Sequence, residues 1–294
     1  MSANAESDLQ GSLPAFAWRQ IAILAGIVFL IHLVCIHRYS YFRDELYYLA
    51  CAQNLAWGYV DHPPLSIAIL KLFTAVFGTE LWAVRLPGVL TGVVSVFLYA
   101  NIARLLRGGV TAQLLAAAFV GLAPVCAVVS HLYSMNGFDI TLWAVAINLY
   151  ILAQDPARKK LWIWLGIVLG LALLNKLSGL WLFAGLGLAT FLTPRRTELK
   201  AWQPWFAVLL AIGIASPHLI WQINHGFPTL EFLENAAKYK LAPTPPWTIL
   251  GVQIAVTNPA FSVMWIVEAV LVWRNRQWRV LAIPFPMVLL ILLI

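Results

Sequence analysis

Two short stretches combine acids, aromatics and a constrained backbone in a way that chemistry can use. The first is Arg43-Asp44-Glu45-Leu46-Tyr47-Tyr48; the second is Asp61-His62-Pro63-Pro64-Leu65, preceded by Gly58-Tyr59. A carboxylate at a helix entrance has two uses. It can accept from free backbone N–H groups at the positive end of the helix dipole, or it can be held there as a general base. On the Asp44-Glu45 dipeptide alone both readings stand, with Asp44 and Glu45 the catalytic candidates. In the second stretch Pro63 pushes His62 out of the helical region and Pro64 suits a helix's first turn. The corner should therefore be stiff, displaying Asp61 and His62 on a fixed backbone. A capping Asp on a stiff turn explains the prolines equally well. The informative feature is that two acidic, aromatic-rich corners, the second including Tyr59, bracket one short helix.

Other polar residues are candidates with structural alternatives. Arg85, in Val84-Arg85-Leu86-Pro87, stands at the start of an apolar run and could snorkel to phospholipid phosphates. Asp139 opens another run and could cap it. Lys176, in Leu174-Asn175-Lys176-Leu177-Ser178, falls in a turn away from the other basic clusters, which makes it more suspicious than a lysine within them. His225, Glu231 and Glu234 lie in a proline-broken segment, 223–247. No Walker loop, Rossmann glycine fingerprint or HExxH motif occurs, so no nucleotide cofactor is expected. Cys35, Cys51 and Cys126 make no CxxC or Cys/His metal spacing and read as packing residues. A Cys35–Cys51 disulfide is the alternative if both face an oxidising side.

The elements that must position these residues are membrane helices. The 294 residues are 62% hydrophobic and 11% charged, far from the soluble balance of about half apolar and a quarter charged. Apolar runs predict spans at 18–36, 83–103, 110–130, 138–154, 161–175, 178–193, 204–222 and 248–273, with a ninth beginning near 280. Asn258-Pro259 should kink the eighth. Residues 1–17 form a polar cytoplasmic tail, the run after it is an uncleaved anchor, and 18–294 is one transmembrane domain. The apolar end at Leu292-Leu293-Ile294 suggests a C-terminal truncation.

With the N-terminus inside, basic clusters at Arg104/Arg107, Arg158–Lys160, Arg195–Lys200 and Arg274–Arg279 all fall in cytoplasmic turns. The net charge of +7 is thereby explained by topology, and nucleic-acid binding loses its support. All six histidines and most acids fall in the outer half. The first outer segment, 37–82, contains two helices too short to span, Asp44–Trp57 closed by Gly58 and Leu65–Phe77 closed by Gly78, which should lie along the interface. The 223–247 segment is the second long outer one.

In order, Asp44-Glu45-Leu46-Tyr47-Tyr48, Gly58-Tyr59-Val60-Asp61-His62-Pro63-Pro64-Leu65 and Val84-Arg85-Leu86-Pro87 resemble the N-terminal part of the GT-C membrane glycosyltransferases. Within these, the chain is most similar to the glycosyltransferase family 39 group of protein O-mannosyltransferases and bacterial lipid A aminoarabinose transferases. The resemblance implies an all-α polytopic bundle with two interfacial juxtamembrane helices, set in a bacterial inner membrane with its site on the periplasmic face. It implies an essential Asp at Asp44, and an acid–base pair before two prolines at Asp61 and His62. His62 replaces the lysine of the aminoarabinose transferases. Asp139 and Lys176 resemble polar positions at the matching helix ends.

The resemblance also implies a sugar donor esterified to polyprenyl phosphate and an acceptor hydroxyl on protein, lipid or glycan. Asp44 would take the hydroxyl proton. The departing phosphate needs positive charge, for which His62, Arg85 and Lys176 are candidates, or a divalent metal held by Asp61 and His225. Glu234 and Tyr59 complete the polar candidates. The rivals are a transporter or flippase for a lipid-linked sugar, and a non-catalytic lipid-binding subunit.

Overall fold

A computed structural model describes residues 12–239, 245–274 and 281. The ninth span predicted near 280 and the apolar end at 292–294 lie outside the described residues. Among those described there is no strand. The helices, in chain order, are α1 Trp18–Cys35, α2 Arg43–Gln53, α3 Leu65–Phe77, α4 Leu81–Leu105, α5 Val110–Leu122, α6 Pro124–His131 and α7 Met135–Leu152, followed by α8 Leu161–Asn175, α9 Ser178–Leu192, α10 Trp202–Asn224, α11 Pro228–Tyr239, α12 Pro246–Thr257 and α13 Pro259–Arg274.

Among the described residues four helices, α1, α4, α7 and α10, are long and apolar enough to cross a membrane, and α5 and α6 pass the same test only when taken together, as a pair bent by 55°. The predicted continuous span at 110–130 is thus corrected: Pro124 has no N–H to give the ladder, and the residue before it turns extended. The predicted spans at 161–175 and 178–193 are helices of 15 residues each. At 1.5 Å per residue that is about 22 Å, short of a ~30 Å hydrocarbon core. The predicted kink at Asn258-Pro259 is a full break between α12 and α13, with Asn258 at φ +73°.

α4 is the central helix, packed on α1, α5, α6 and α7, while α8 bridges α7 to α10. Small residues set the α8–α10 spacing: a Cβ on Gly166 would lie 2.6 Å from the Ala207 carbonyl oxygen. Without a hydrophobic drive between helices in lipid, such close backbone contact supplies the van der Waals attraction that holds them. One end of the bundle is closed by polar ties. Buried Gln113 accepts from the Ala17 N–H and donates to the Ala15 and Gly108 carbonyls, and Arg104 donates to the Pro14 carbonyl. Asn101 donates to Asn148 at 2.7 Å, and Lys159 pairs with Glu198 at 3.4 Å. The opposite end carries α2, α3 and the turns that gather the candidate residues.

Candidate active site

α2 begins where the chain leaves α1, and its start is fixed from inside the protein. Glu45, the third helical residue, accepts the Phe42 N–H at 2.9 Å, closing the helix entrance. Its two oxygens also take the guanidinium of Arg85 from α4, Nε to Oε1 and Nη2 to Oε2, both at 2.9 Å, and Oε1 accepts the Tyr133 N–H at 3.0 Å. Arg85 spends its other donors on the carbonyls of Ile36 (2.7 Å), Tyr39 (3.0 Å) and Ser40 (2.9 Å). A guanidinium has five N–H groups, and all are used. Both side chains are 0% exposed. Burial opposes ionisation of Glu45, but the bonds from Arg85 and from the Phe42 and Tyr133 backbone outweigh it and hold the carboxyl below its ordinary value.

This geometry corrects two expectations. Glu45 has no open oxygen with which to take a substrate proton, and Arg85 neither snorkels nor offers a free face to phosphate. The pair is a positioning element. It locks α2 to α4, to the 36–40 exit and to the α6–α7 turn. The residue beside it, Asp44, is left with its side chain 48% exposed, and among the described residues its one polar partner is the exposed Arg43 at 3.1 Å. The entrance is capped by Glu45; no capping bond to Asp44 is seen.

The second corner docks on α2 through aromatic rings. Tyr47 donates to Asp61 Oδ1 at 2.6 Å. Burial, and then the Asp61 bond, push the Tyr47 phenol above its ordinary value, so the hydrogen in that bond is the tyrosine's. His62 stacks on Tyr48, with centroids 4.9 Å apart and planes 5° apart, and lies against Tyr59 and Tyr47. Its Nδ1 is 3.0 Å from the Pro63 carbonyl, which can only accept, so Nδ1 carries a hydrogen. Nε2 is buried without a hydrogen-bond partner, 3.8 Å from Asp61 Oδ1. With its side chain 0% exposed, His62 cannot be an open phosphate cation, which corrects that expectation too. Tyr59 is structural: its hydroxyl reaches the Cys51 and Asn54 carbonyls and the Ala56 N–H. Those bonds end α2 at Gln53, earlier than the predicted Trp57.

Gly58 is needed for a different reason from the predicted helix stop. A Cβ there would sit 2.4 Å from the Trp221 ring and 2.8 Å from His218 Nδ1. α10 therefore packs its end onto this corner, and His218 Nδ1–H donates to the Trp57 carbonyl at 2.9 Å. Neither residue was singled out from the sequence, where His218 reads as one histidine in an apolar run. His225 lies one turn on, stacked on Trp221 at 4.2 Å with Nδ1 2.8 Å from the Trp221 carbonyl oxygen. Glu234 is exposed on α11.

The third group joins α7 to the α8–α9 turn. Ser134, not Asp139, caps α7. Asp139, a turn further in, accepts from Ser178 Oγ (2.7 and 2.8 Å) and Trp143 Nε1 (3.1 Å) and lies 3.8 Å from Lys176 Nζ. Lys176 donates to Asn136 Oδ1 at 2.8 Å, and its side chain is 32% exposed. It keeps donors to spare. The 133–136 turn links this group to α2, because Met135 N–H approaches the Tyr48 hydroxyl at 3.4 Å and Asn175 donates to the Met135 carbonyl. All three thiols are free, so the alternative Cys35–Cys51 disulfide is absent.

Among the described residues no three His, Cys, Asp or Glu side chains converge as metal ligands. Asp61 and His225 do not by themselves make a fitting donor set.

Fold and site together define a multi-pass, all-helical membrane protein with an acidic and aromatic cluster at one end of its bundle. Residues 61–221, more than half of the chain, match the family model described as dolichyl-phosphate-mannose-protein mannosyltransferase, and the chain belongs to that family. It is 25% identical over 270 residues to the lipid A galacturonosyltransferase RgtD of Rhizobium johnstonii, covering 86% of this chain and 55% of that one. To the polyprenol-phosphate-mannose–protein mannosyltransferase of Mycobacterium tuberculosis it is 26% identical over 185 residues, 53% of this chain and 35% of the other. The crystal structure of ArnT from Cupriavidus metallidurans in the apo state superposes with a TM-score of 0.68 at 19% identity, over 95% of this chain and 56% of ArnT. The same protein bound to undecaprenyl phosphate gives 0.64 at 20% identity, over 94% of this chain and 55% of that one. The chain thus spans about half, or less, of the length of these relatives.

Proposed function

We propose that the protein is an inverting glycosyltransferase that moves a hexosyl or pentosyl group from a polyprenyl-phosphate donor to an acceptor hydroxyl of a protein, lipid or glycan. The reaction takes place on the extracytoplasmic face of a bacterial inner membrane. Family membership supports the reaction class, and the printed descriptions of a mannosyltransferase using polyprenol-phosphate-mannose and of ArnT bound to undecaprenyl phosphate support the donor. The observation that carries the residue assignment is the split at the head of α2: Glu45 is consumed by Arg85, and Asp44 is left half exposed on a backbone that cannot shift.

The acceptor oxygen forms a bond to the anomeric carbon while the carbon–oxygen bond to the lipid phosphate breaks, and the electron pair leaves with the phosphate. The hydroxyl proton passes to the Asp44 carboxylate. Lys176, tethered but with donors to spare, meets the charge that grows on the phosphate. Asp61, fixed by Tyr47, orients the polar head of the substrate. α2 and α3 lie at the interface, so that an isoprenoid tail stays in lipid while the sugar meets water. A transporter would instead place ionisable groups and broken repeats at mid-bundle, whereas the acid cluster here lies at one end.

Asp44→Asn tests the base. Transfer from a purified polyprenyl-phosphate sugar should fall by about 10²–10⁴-fold with abundance and melting unchanged; near-normal transfer removes the assignment.

A further inference from the structure

α2 and α3 pack against each other along one side and part along the other. The gap is a cleft of about 470 Å³, within the range of small-ligand pockets, lined by Leu46, Leu49 and Ala50 of α2 and Lys71, Thr74 and Ala75 of α3. The Tyr41 hydroxyl bonds to the Thr79 carbonyl at its end. This is not the acid site: Asp44, Tyr47 and Tyr48 do not line it, and the Asp61 corner lies ahead of α3. The lining is mostly apolar, with Gln53, Thr74 and Thr79 contributing polar atoms, and its one charged residue is Lys71, which is exposed and whose ammonium has no hydrogen bond or ion pair among the described residues. Around it the surface continues apolar, with Leu46, Leu72, Val76 and Phe77 all exposed.

Position decides what can fill such a cleft. α2 starts a few residues after the spanning helix α1 ends, and α3 stops just before spanning α4 begins. Both therefore sit at the depth where acyl chains meet headgroups, and the exposed aromatics Trp57 and Trp82 suit that level. An apolar slot with a single unpaired cation at headgroup depth complements an acyl chain carrying an anionic phosphate.

We propose that the α2–α3 cleft binds an anionic glycerophospholipid of the surrounding bilayer, one acyl chain lying between the helices and its phosphodiester meeting Lys71. The site is separate from the transferase reading and stands whether or not Asp44 is the base. A bound lipid there fills the space between the helix that carries Asp44 and the helix that follows the Asp61 corner.

The test is lipid retention by the full chain, purified, delipidated and offered phosphatidylglycerol, phosphatidylcholine and undecaprenyl phosphate, read by native mass spectrometry. Wild type should keep one phosphatidylglycerol with about a fivefold preference over phosphatidylcholine, the effect of one lysine near an anionic headgroup. Lys71→Glu should lose that preference, and Ala75→Trp, at an exposed position, should fill the slot and lose the lipid with melting unchanged. Retention of the preference in K71E overturns the proposal, and so does undiminished retention in A75W. Displacement of phosphatidylglycerol from wild type by equimolar undecaprenyl phosphate also overturns it, by making the slot a polyprenyl site. Should A75W not fold, Lys71→Ala with the same competition decides the question.

Discussion

Replacing Arg85 by Met isolates what the buried pair contributes. The substitution keeps an unbranched side chain of similar reach but leaves Glu45 as an uncompensated carboxylate at 0% exposure, a change that costs about 3–5 kcal/mol. Three carbonyls also lose their donor. Tyr39 and Ser40 are exposed and can turn to water; Ile36 is buried, and its orphaned oxygen adds about 1–3 kcal/mol. The double variant Glu45→Gln/Arg85→Met removes the stranded charge and keeps the Ile36 cost, but its single amide oxygen can accept only one of the Phe42 and Tyr133 N–H groups, so it should be more stable than R85M alone by about 2 kcal/mol. Arg85→Lys should fall between, since an ammonium has three donors and no fork.

The pH dependence carries the sign. In the wild type Glu45 is held below its ordinary 4.5, so its contribution is complete above that value and is lost as pH falls through the folded-state pKa. In R85M burial, the largest influence on the carboxyl, is opposed only by the Phe42 and Tyr133 N–H bonds, so the carboxyl rises and that variant should gain stability on mild acidification. Denaturant unfolding of purified protein in detergent, across a pH series, measures both effects. Equal stability of R85M and the double variant, or a wild-type slope in R85M, would refute the view that an ionised Glu45 is the cost.

Two further outcomes follow from the site's packing. Gly58→Ala puts a methyl group against the Trp221 ring and should cost about 1–3 kcal/mol by displacing the end of α10 from the Asp61 corner, seen as lower melting and lower transfer; unchanged behaviour would show that this contact is slack. Lys176→Met should weaken capture and activation of the phosphate donor more than folding, read as a drop in kcat/KM with unchanged melting, whereas equal kcat/KM would remove Lys176 from the site.

The local parts of this architecture were readable from sequence because their causes are local. α3 was predicted at 65–77 and is found there, since Pro64 opens it and Gly78, at φ +78°, closes it. Pro124 carried the signal for the broken span, but a long apolar run masked it. What sequence could not show are pairings across the chain. Glu45 and Arg85 are 40 residues apart, and alone each resembles a site residue. Gly58 reads as a turn until Trp221 is found against it. His62 reads as a displayed base until three tyrosines are seen around it.

The ties of Glu45 also impose an order of assembly. Its partners come from residue 42, residue 85 and residue 133, and Arg85 in turn gathers 36–40. A nascent chain that has delivered only α1 and α2 therefore carries Asp44 on an unfastened helix; Arg85 fastens it when α4 follows, and the Tyr133 N–H completes the set once the turn after α6 has emerged. The complete set of ties is thus acquired only after six helices have been placed, and a ribosome-bound intermediate shorter than Tyr133 carries its acid on a helix with one tie still open.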